Sequence, residues 1–274
     1  MSEFVPLVLC SIFKNEAKYL REFIEFHILV GVENFFLYNN NSTDNYLEIL
    51  QPYIDTGIVH LTEWPIEPPC QLNAYRDFIL MAQGYNTWQK PLIPRKTWCA
   101  FIDVDEFIYA PNHASLPALL NSIGQPCTIG VNWRSFGSGN QDTYDERPVI
   151  ERFNLRPDNY EPNKHIKSII RLDQRLYVGN DPHYFYCEHG TLGEKGNIIS
   201  DAFSPSSSNI FCINHYVTKS KEEYLEKRGR GRADIPVKED HFDWTMFNEL
   251  NENLIEDNQI KKFLPELKRR LERS

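Results

Sequence analysis

Strand-length apolar runs and helix-periodic segments take turns from Val5 to Asp103, a rhythm that few folds accommodate. Val5 to Phe13 (VPLVLCSIF) reads as a strand, broken by the polar Lys14-Asn15-Glu16. Ala17, Leu20, Phe23, Ile24, His27 and Ile28 then recur at helical spacing, and Gly31 stops the helix. Asn34 to Tyr38 is a second strand, ending in the polar run Asn39 to Asp44. Ser42 to Asp44 offer N-cap oxygens to a helix from about Asn45 to Tyr53. Gly57 to Thr62, Leu72 to Gln83 and Trp98 to Asp103 read as strand, helix and strand. This alternation predicts a parallel sheet whose ligand sits beyond the carboxyl ends of the strands, where each polar cluster falls.

After about residue 125 strands follow in close succession, near Cys127 to Trp133, Val149 to Phe153, His165 to Leu172 and Asn209 to Val217. The second half is therefore expected to be mixed or antiparallel. One domain is expected over residues 1–218, its two halves meeting at residues 125 and 126, followed by a basic lid loop and helical tail at 219–274. Phe263, Leu264, Leu267 and Leu271 form the apolar side of the terminal helix.

With 274 residues and 41% hydrophobic content, the chain can bury a core without disulfides. Its formal charge of −9 argues against a surface that wraps nucleic acid. The first ten residues lack a basic region followed by a long apolar stretch, so no secretory leader is expected, and no run is long enough to span a membrane. Six scattered cysteines without a C-x-x-C pair disfavour a zinc knuckle or a disulfide framework and suggest a reduced, cytoplasmic setting.

The sharpest local feature is Asp103-Val104-Asp105 at the end of WCAFID. Charge in so apolar a run costs several kcal/mol unless it is partnered, and two carboxylates at this spacing suit a hard divalent cation. Asn39 to Asp44 either caps a helix or meets a base or ribose. Lys14 precedes the first helical turn, where a cation is unfavourable unless an anion lies nearby. From Lys219 to Arg232 there are six basic residues, with Gly229 and Gly231 suggesting a mobile loop whose guanidinium forks suit phosphate. His215, closing the alternating run Ile210 to Val217, is either a core histidine or a third metal ligand. Walker, dinucleotide-fingerprint and G-x-S-x-G motifs are absent from the sequence.

The order of these signals resembles a glycosyltransferase of the GT-A fold, a Rossmann-like mixed α/β sheet flanked by helices. Asn39 to Asp44 resembles the D-D-G-S-T-D segment of family 2, with Asn in place of both Asp and the Gly. LCSIFKNEAKYLREFIEFHILVGVENFFLYNNNSTDN, QLNAYRDF, WCAFIDVDEFI, NWRSFGSGN and INHYVTKSKEEYLEKRGRG together are similar to the family 92 branch, across about residues 7 to 232. The resemblance implies a nucleotide- and metal-binding first half and an acceptor-binding second half. It implies that Lys14, Asn15, Glu16, Asn39, Gln71 and Arg76 line the nucleotide. Asp103 and Asp105, as the D-x-D pair, would hold Mn²⁺ or Mg²⁺ on the diphosphate, with His215 completing the shell. Lys219 and Arg230 would meet the leaving diphosphate. Trp133, in WRSFG, would offer a ring face to the acceptor sugar, or else serve as a core tryptophan.

The implied reaction moves a sugar from a nucleotide-sugar donor, a UDP-sugar, to a glycan or lipid-linked acceptor with inversion, through one in-line displacement assisted by a carboxylate base. Asp181, in GNDPH, is the first candidate for that base, ahead of Asp142 and Glu188. Peripheral membrane contact is compatible with a lipid-linked acceptor. The alternatives are a metal-dependent nucleotidyltransferase or phosphohydrolase, and an inactive carbohydrate-binding relative.

Overall fold

A computed structural model describes residues 5–85, 93–94, 96–124, 126–230 and 244–273. The first half follows the expected rhythm: β1 (Leu7–Phe13), α1 (Ala17–Leu29), β2 (Val32–Asn39), α2 (Tyr46–Asp55), β3 (Val59–Glu63), α3 (Cys70–Ala82) and β4 (Trp98–Phe101). β1 is buried on both faces, which is why it reads as a continuous apolar run. It pairs in parallel with β2 and β4, and β2 pairs in parallel with β3. Phe13, Asn39 and Glu63 are register partners, so the three polar strand ends lie side by side.

Alternate residues of β2 serve opposite faces. Phe35 and Leu37 join Phe23, Phe26 and Leu50 on the α1–α2 side, whereas Phe36 and Tyr38 join Tyr75 and Phe78 of α3.

The second half adds β5 (Glu106–Tyr109), α4 (Leu116–Ser122), β6 (Thr128–Ser135), α5 (Val149–Arg152), β7 (Leu155–Pro157), β8 (Ile166–Arg171), β9 (Leu176–Val178), β10 (Phe185–Cys187), β11 (Thr191–Leu192), β12 (Ile198–Ile199) and β13 (Cys212–His215). After these come α6 (Lys221–Gly229), α7 (Thr245–Glu249), β14 (Leu254–Glu256) and α8 (Leu264–Leu271). The sheet order is β12-β11-β6-β8-β4-β1-β2-β3, and β13 joins β5 to β6. β8 runs antiparallel to β4 and β6, giving the mixed Rossmann-like sheet that the sequence led us to expect.

Phe263 and Leu267 bury in the same cluster as α1, and Arg21 Nη2 donates to Leu271 O at 2.5 Å. Arg134 of β6 donates to Asp257 and Gln259, both at 2.9 Å. The tail is thus seated on the sheet-bearing body of the molecule.

Four local expectations change. Val149 to Phe153, read as a strand, is instead the short helix α5. The Glu22 carboxylate of α1 accepts from the backbone N–H of Val149 at 2.7 Å and of Ile150 at 3.2 Å, satisfying donors that a helix start leaves open. Ser42 and Asp44 do not cap α2. They accept from the N–H of Asn15 (2.9 Å) and Ala17 (2.8 Å), fastening the entry to α1. The stretch from Lys221 to Gly229, read as part of a mobile loop, is the helix α6, started by a reciprocal Ser220–Glu223 capping box, with Gly229 as its last residue. Gly231 and Arg232 lie outside the described residues. Finally, Cys127 and Cys187 form a disulfide, contrary to the expectation of unpaired thiols, while Cys10, Cys99 and Cys212 are free and buried and Cys70 is buried.

Burial pushes the Glu22 carboxyl up to about 7, against the backbone hydrogen bonds and the charges of Lys219 and Arg152 that favour its ionised form. The folded state therefore holds this proton more tightly than the unfolded chain does. Its contribution to stability is complete below about pH 4.5 and is lost as pH rises through about 7, a swing of roughly 3 kcal/mol. Glu22→Gln is expected to lose this dependence. Urea denaturation of both proteins should show the variant gaining on the unaltered chain between pH 5 and 8, and parallel curves would contradict the assignment.

Candidate active site

Four strand ends, the start of α3 and the helix α6 meet around the acidic pair. Asp103, just past β4, is held by two donors: Gln71 Nε2 reaches Oδ1 at 2.7 Å and Lys167 Nζ reaches Oδ2 at 2.8 Å. The Lys167 side chain projects from β8 and is wholly buried, with Glu106 Oε1 3.6 Å from its ammonium. Glu106 accepts from the Asp103 N–H at 2.9 Å, and β5 begins at that residue, so one carboxylate both turns the chain and starts the next strand. Burial raises the Glu106 carboxyl, with Lys167 opposing.

Asp105 is almost fully buried, and its Oδ2 faces Lys227 Nζ and, at 3.6 Å, His215 Nε2. Desolvation works against its charge, yet Lys227 and His215 prevail and hold the carboxyl well below the usual range. His215 ends β13, paired with Glu106 on one side and Ser135 on the other. Burial lowers its pKa, opposed by Asp105, and its Nδ1 is buried without a partner. Burial thus favours the neutral imidazole and Asp105 the charged one.

Cations close the site from above. Lys219, at φ 52°, is buried with its ammonium 4.1 Å from the Tyr19 ring centre, and burial lowers its pKa while Glu16 and Asp105 pull it back. Left-handed backbone at a lysine is strain that the surrounding contacts must hold. Arg230 donates to Asn15 O at 2.5 Å and pairs with Glu16. Lys18 pairs with Glu226 at 2.7 Å, and Glu223 accepts from Tyr19 and Arg152. Together with Lys227–Asp105, these contacts clamp α6 over the ends of β1 and β4.

The other sequence-derived candidates distribute around this centre. Asn15 Oδ1 accepts from the Thr43 N–H at 2.7 Å, and Lys14 is half-buried beside it. Asn39 accepts from the Ser42 N–H at 3.0 Å and donates to Glu63 at 2.7 Å, so the polar run is folded upon itself and upon β3. Arg76 donates to Gly179 O at 2.7 Å, fastening the β9–β10 turn to α3. Trp133 has the rings of His215 at 4.6 Å and His165 at 4.9 Å, and its Nε1 is buried without a partner. Its neighbour Gly137 touches the Leu250 carbonyl so closely that a Cβ would collide with it. Asp181 accepts from the His183 backbone N–H, while Asp142 and Glu188 are exposed.

Sequence reasoning missed Lys167, Glu106, Glu63 and His183 as site residues, and included Lys227 only as one of the six basic residues from Lys219 to Arg232. Lys167 had a signal, being a lysine inside the otherwise apolar run IKSII.

A buried carboxylate, an imidazole and several cations thus gather at the strand ends of a mixed α/β sheet. The chain matches glycosyltransferase family 92 over residues 6–271 and belongs to that family. The match includes the C-terminal tail, beyond the span to residue 232 seen in the sequence. A family 92 protein of Oryza sativa subsp. japonica is 26% identical over 229 residues, covering 81% of this chain and 35% of the relative. One of Arabidopsis thaliana is 29% identical over 227 residues, covering 77% and 35%. The chain spans about a third of the length of the curated relatives it matches. Among solved structures, residues 1–349 of S. aureus TarS align over 61% of this chain and 47% of that one, at 12% identity and a TM-score of 0.39.

Proposed function

We propose that this chain is the sugar-transferring unit of a family 92 enzyme, moving a sugar from a UDP-sugar to a glycan or lipid-linked acceptor with inversion. The observation that carries the proposal is the convergence of Lys219, Lys227 and Arg230 on the carboxylates of Asp105 and Glu16, beside the end of β4. An anion as highly charged as a diphosphate is the ligand for which a protein of net charge −9 would gather cations here.

The donor set fits Mn²⁺ or Mg²⁺. Asp103, Asp105 and His215 would hold the ion, with phosphate or water oxygens completing the shell; Gln71, Lys167 and Lys227 now meet the oxygens of the two carboxylates. Among the described residues no three His, Cys, Asp or Glu side chains form a metal-holding group. The ion would add positive charge where the leaving diphosphate develops its negative charge. Lys219 and Arg230 stabilise that same charge from the α6 side. Asn15, Asn39 and Glu63 supply hydrogen-bonding groups for the nucleoside at the ends of β1 to β3.

A thermal-shift panel of UDP, GDP and CMP, each with and without Mn²⁺, tests this reading. Ligand at about 100 times its Kd stabilises by roughly 2.7 kcal/mol, or about 5–10 °C in a chain of this size. UDP with Mn²⁺ should give the largest shift. No nucleotide-dependent shift at millimolar ligand would overturn the proposal.

A further inference from the structure

The turn between β9 and β10 carries an Asp–His pair that stands outside the acidic centre. Asp181 Oδ1 accepts from the His183 backbone N–H at 2.8 Å and from His183 Nδ1 at 3.0 Å. Among the described residues the His183 ring has no other polar partner, so Nδ1 faces the carboxylate and Nε2 is unengaged. The hydrogen bonds from His183 hold the Asp181 carboxyl below the usual range.

The turn is built to stay in place. Arg76 of α3 donates to Gly179 O at 2.7 Å, Ser168 of β8 donates to His183 O at 2.8 Å, and the disulfide ties Cys187 at the end of β10 to Cys127 before β6. His183 meets Trp133 edge-on with ring centres 5.3 Å apart, and His215 packs against the same indole at 4.6 Å. The pair and the Asp105–His215 centre therefore pack on the same indole. The hairpin also presents Tyr177 and Tyr186 directly opposite each other, both about half exposed, as ring surfaces for a sugar.

We propose that His183 is the general base that deprotonates the acceptor hydroxyl, with Asp181 as its positioning residue. The inference rests on the sugar-transfer reading and names its base. His183 Nε2 takes the hydroxyl proton as the acceptor oxygen bonds to the anomeric carbon, and the anomeric C–O bond breaks with its electron pair leaving on the nucleoside diphosphate. The imidazolium then returns its proton to solvent. The titratable groups around it are Asp181 on the same turn, His165 before β8 at 5.4 Å between ring centres, and Lys167 and His215 across Trp133.

The test is release of UDP from UDP-galactose, UDP-glucose and UDP-GlcNAc, with methyl glycosides or water as acceptor. His183→Gln should lower kcat by roughly 10²–10⁴ and abolish the acidic limb of the pH–rate profile, leaving UDP affinity within about twofold. His183→Ala should regain turnover with added imidazole. Asp181→Asn should lower kcat at unchanged KM and keep the acidic limb, since the base remains present. His183→Gln retaining more than about a third of the turnover, or Asp181→Asn losing the limb while His183→Gln keeps it, would overturn the assignment alone. No release by the unaltered protein with any donor would overturn the sugar-transfer reading, and the base with it.

Discussion

Asp105→Asn is expected to abolish Mn²⁺-dependent donor turnover, with kcat falling by roughly 10³ or more. The side chain is almost fully buried, and both Lys227 and the His215 imidazole are directed at its Oδ2. Its charge persists because those partners outweigh the cost of burial. An amide keeps the shape and removes the charge, so Lys219 and Lys227 lose a counter-charge and a metal loses its strongest protein ligand. UDP affinity in Mn²⁺ should weaken about tenfold or more, while affinity without metal should change little or rise, because the freed Lys227 can meet phosphate directly. Initial rates of UDP release, with UDP titrations in Mn²⁺ and in EDTA, measure both. Turnover above about a tenth of that of the unaltered protein would place the metal site elsewhere.

The largest effect on stability is expected at Lys167. Its ammonium is wholly buried between Asp103 and Glu106, and Glu106 Oε1 has no hydrogen-bond partner besides this 3.6 Å approach. Lys167→Met preserves much of the stem and removes the charge, leaving two carboxylates facing each other at the turn after β4. Breaking a buried pair in this way costs about 3–5 kcal/mol, roughly 10 °C in the melting temperature of a chain this long. The double variant Lys167→Met/Glu106→Gln should recover part of the loss, because it no longer strands a buried charge. Thermal melts at neutral pH decide the matter, and a fall of less than about 2 °C in the single variant would mean that the triad is not what holds this turn.

These two sites show where sequence reasoning was strong and where it was blind. Asp103 and Asp105 were conspicuous because acidic residues ending an apolar strand need partners, but the partners lie 64 and 122 residues away in the chain, on β8 and α6. His215 was legible as the end of an alternating run, and only the pairing of β13 with β5 brings it to Asp105. Asp181 was singled out while its neighbour His183 was passed over, since only the folded turn sets the imidazole against both the Asp181 carboxylate and the Trp133 indole. Val149 to Arg152 has the β-branched start of a strand, and the carboxylate of Glu22, 127 residues earlier, decides for a helix. Cys127 and Cys187 gave no spacing signal because they are 60 residues apart and meet only when the β9–β10 hairpin folds back on β6.

By itself, then, the sequence determined the alternation of strands and helices, the faces that form the core, and the polar clusters that end the parallel strands. Those follow from local periodicity, because a strand buried on both faces or a helix buried on one must carry its apolar residues at fixed intervals. Only the tertiary structure decided which charges meet, that α6 is clamped over the strand ends, that the tail joins the core of α1, and that the His183 ring meets Asp181 and Trp133. Partnership between buried charges depends on distances across the sheet, and nothing in the order of residues along one strand specifies which side chain of another will stand opposite.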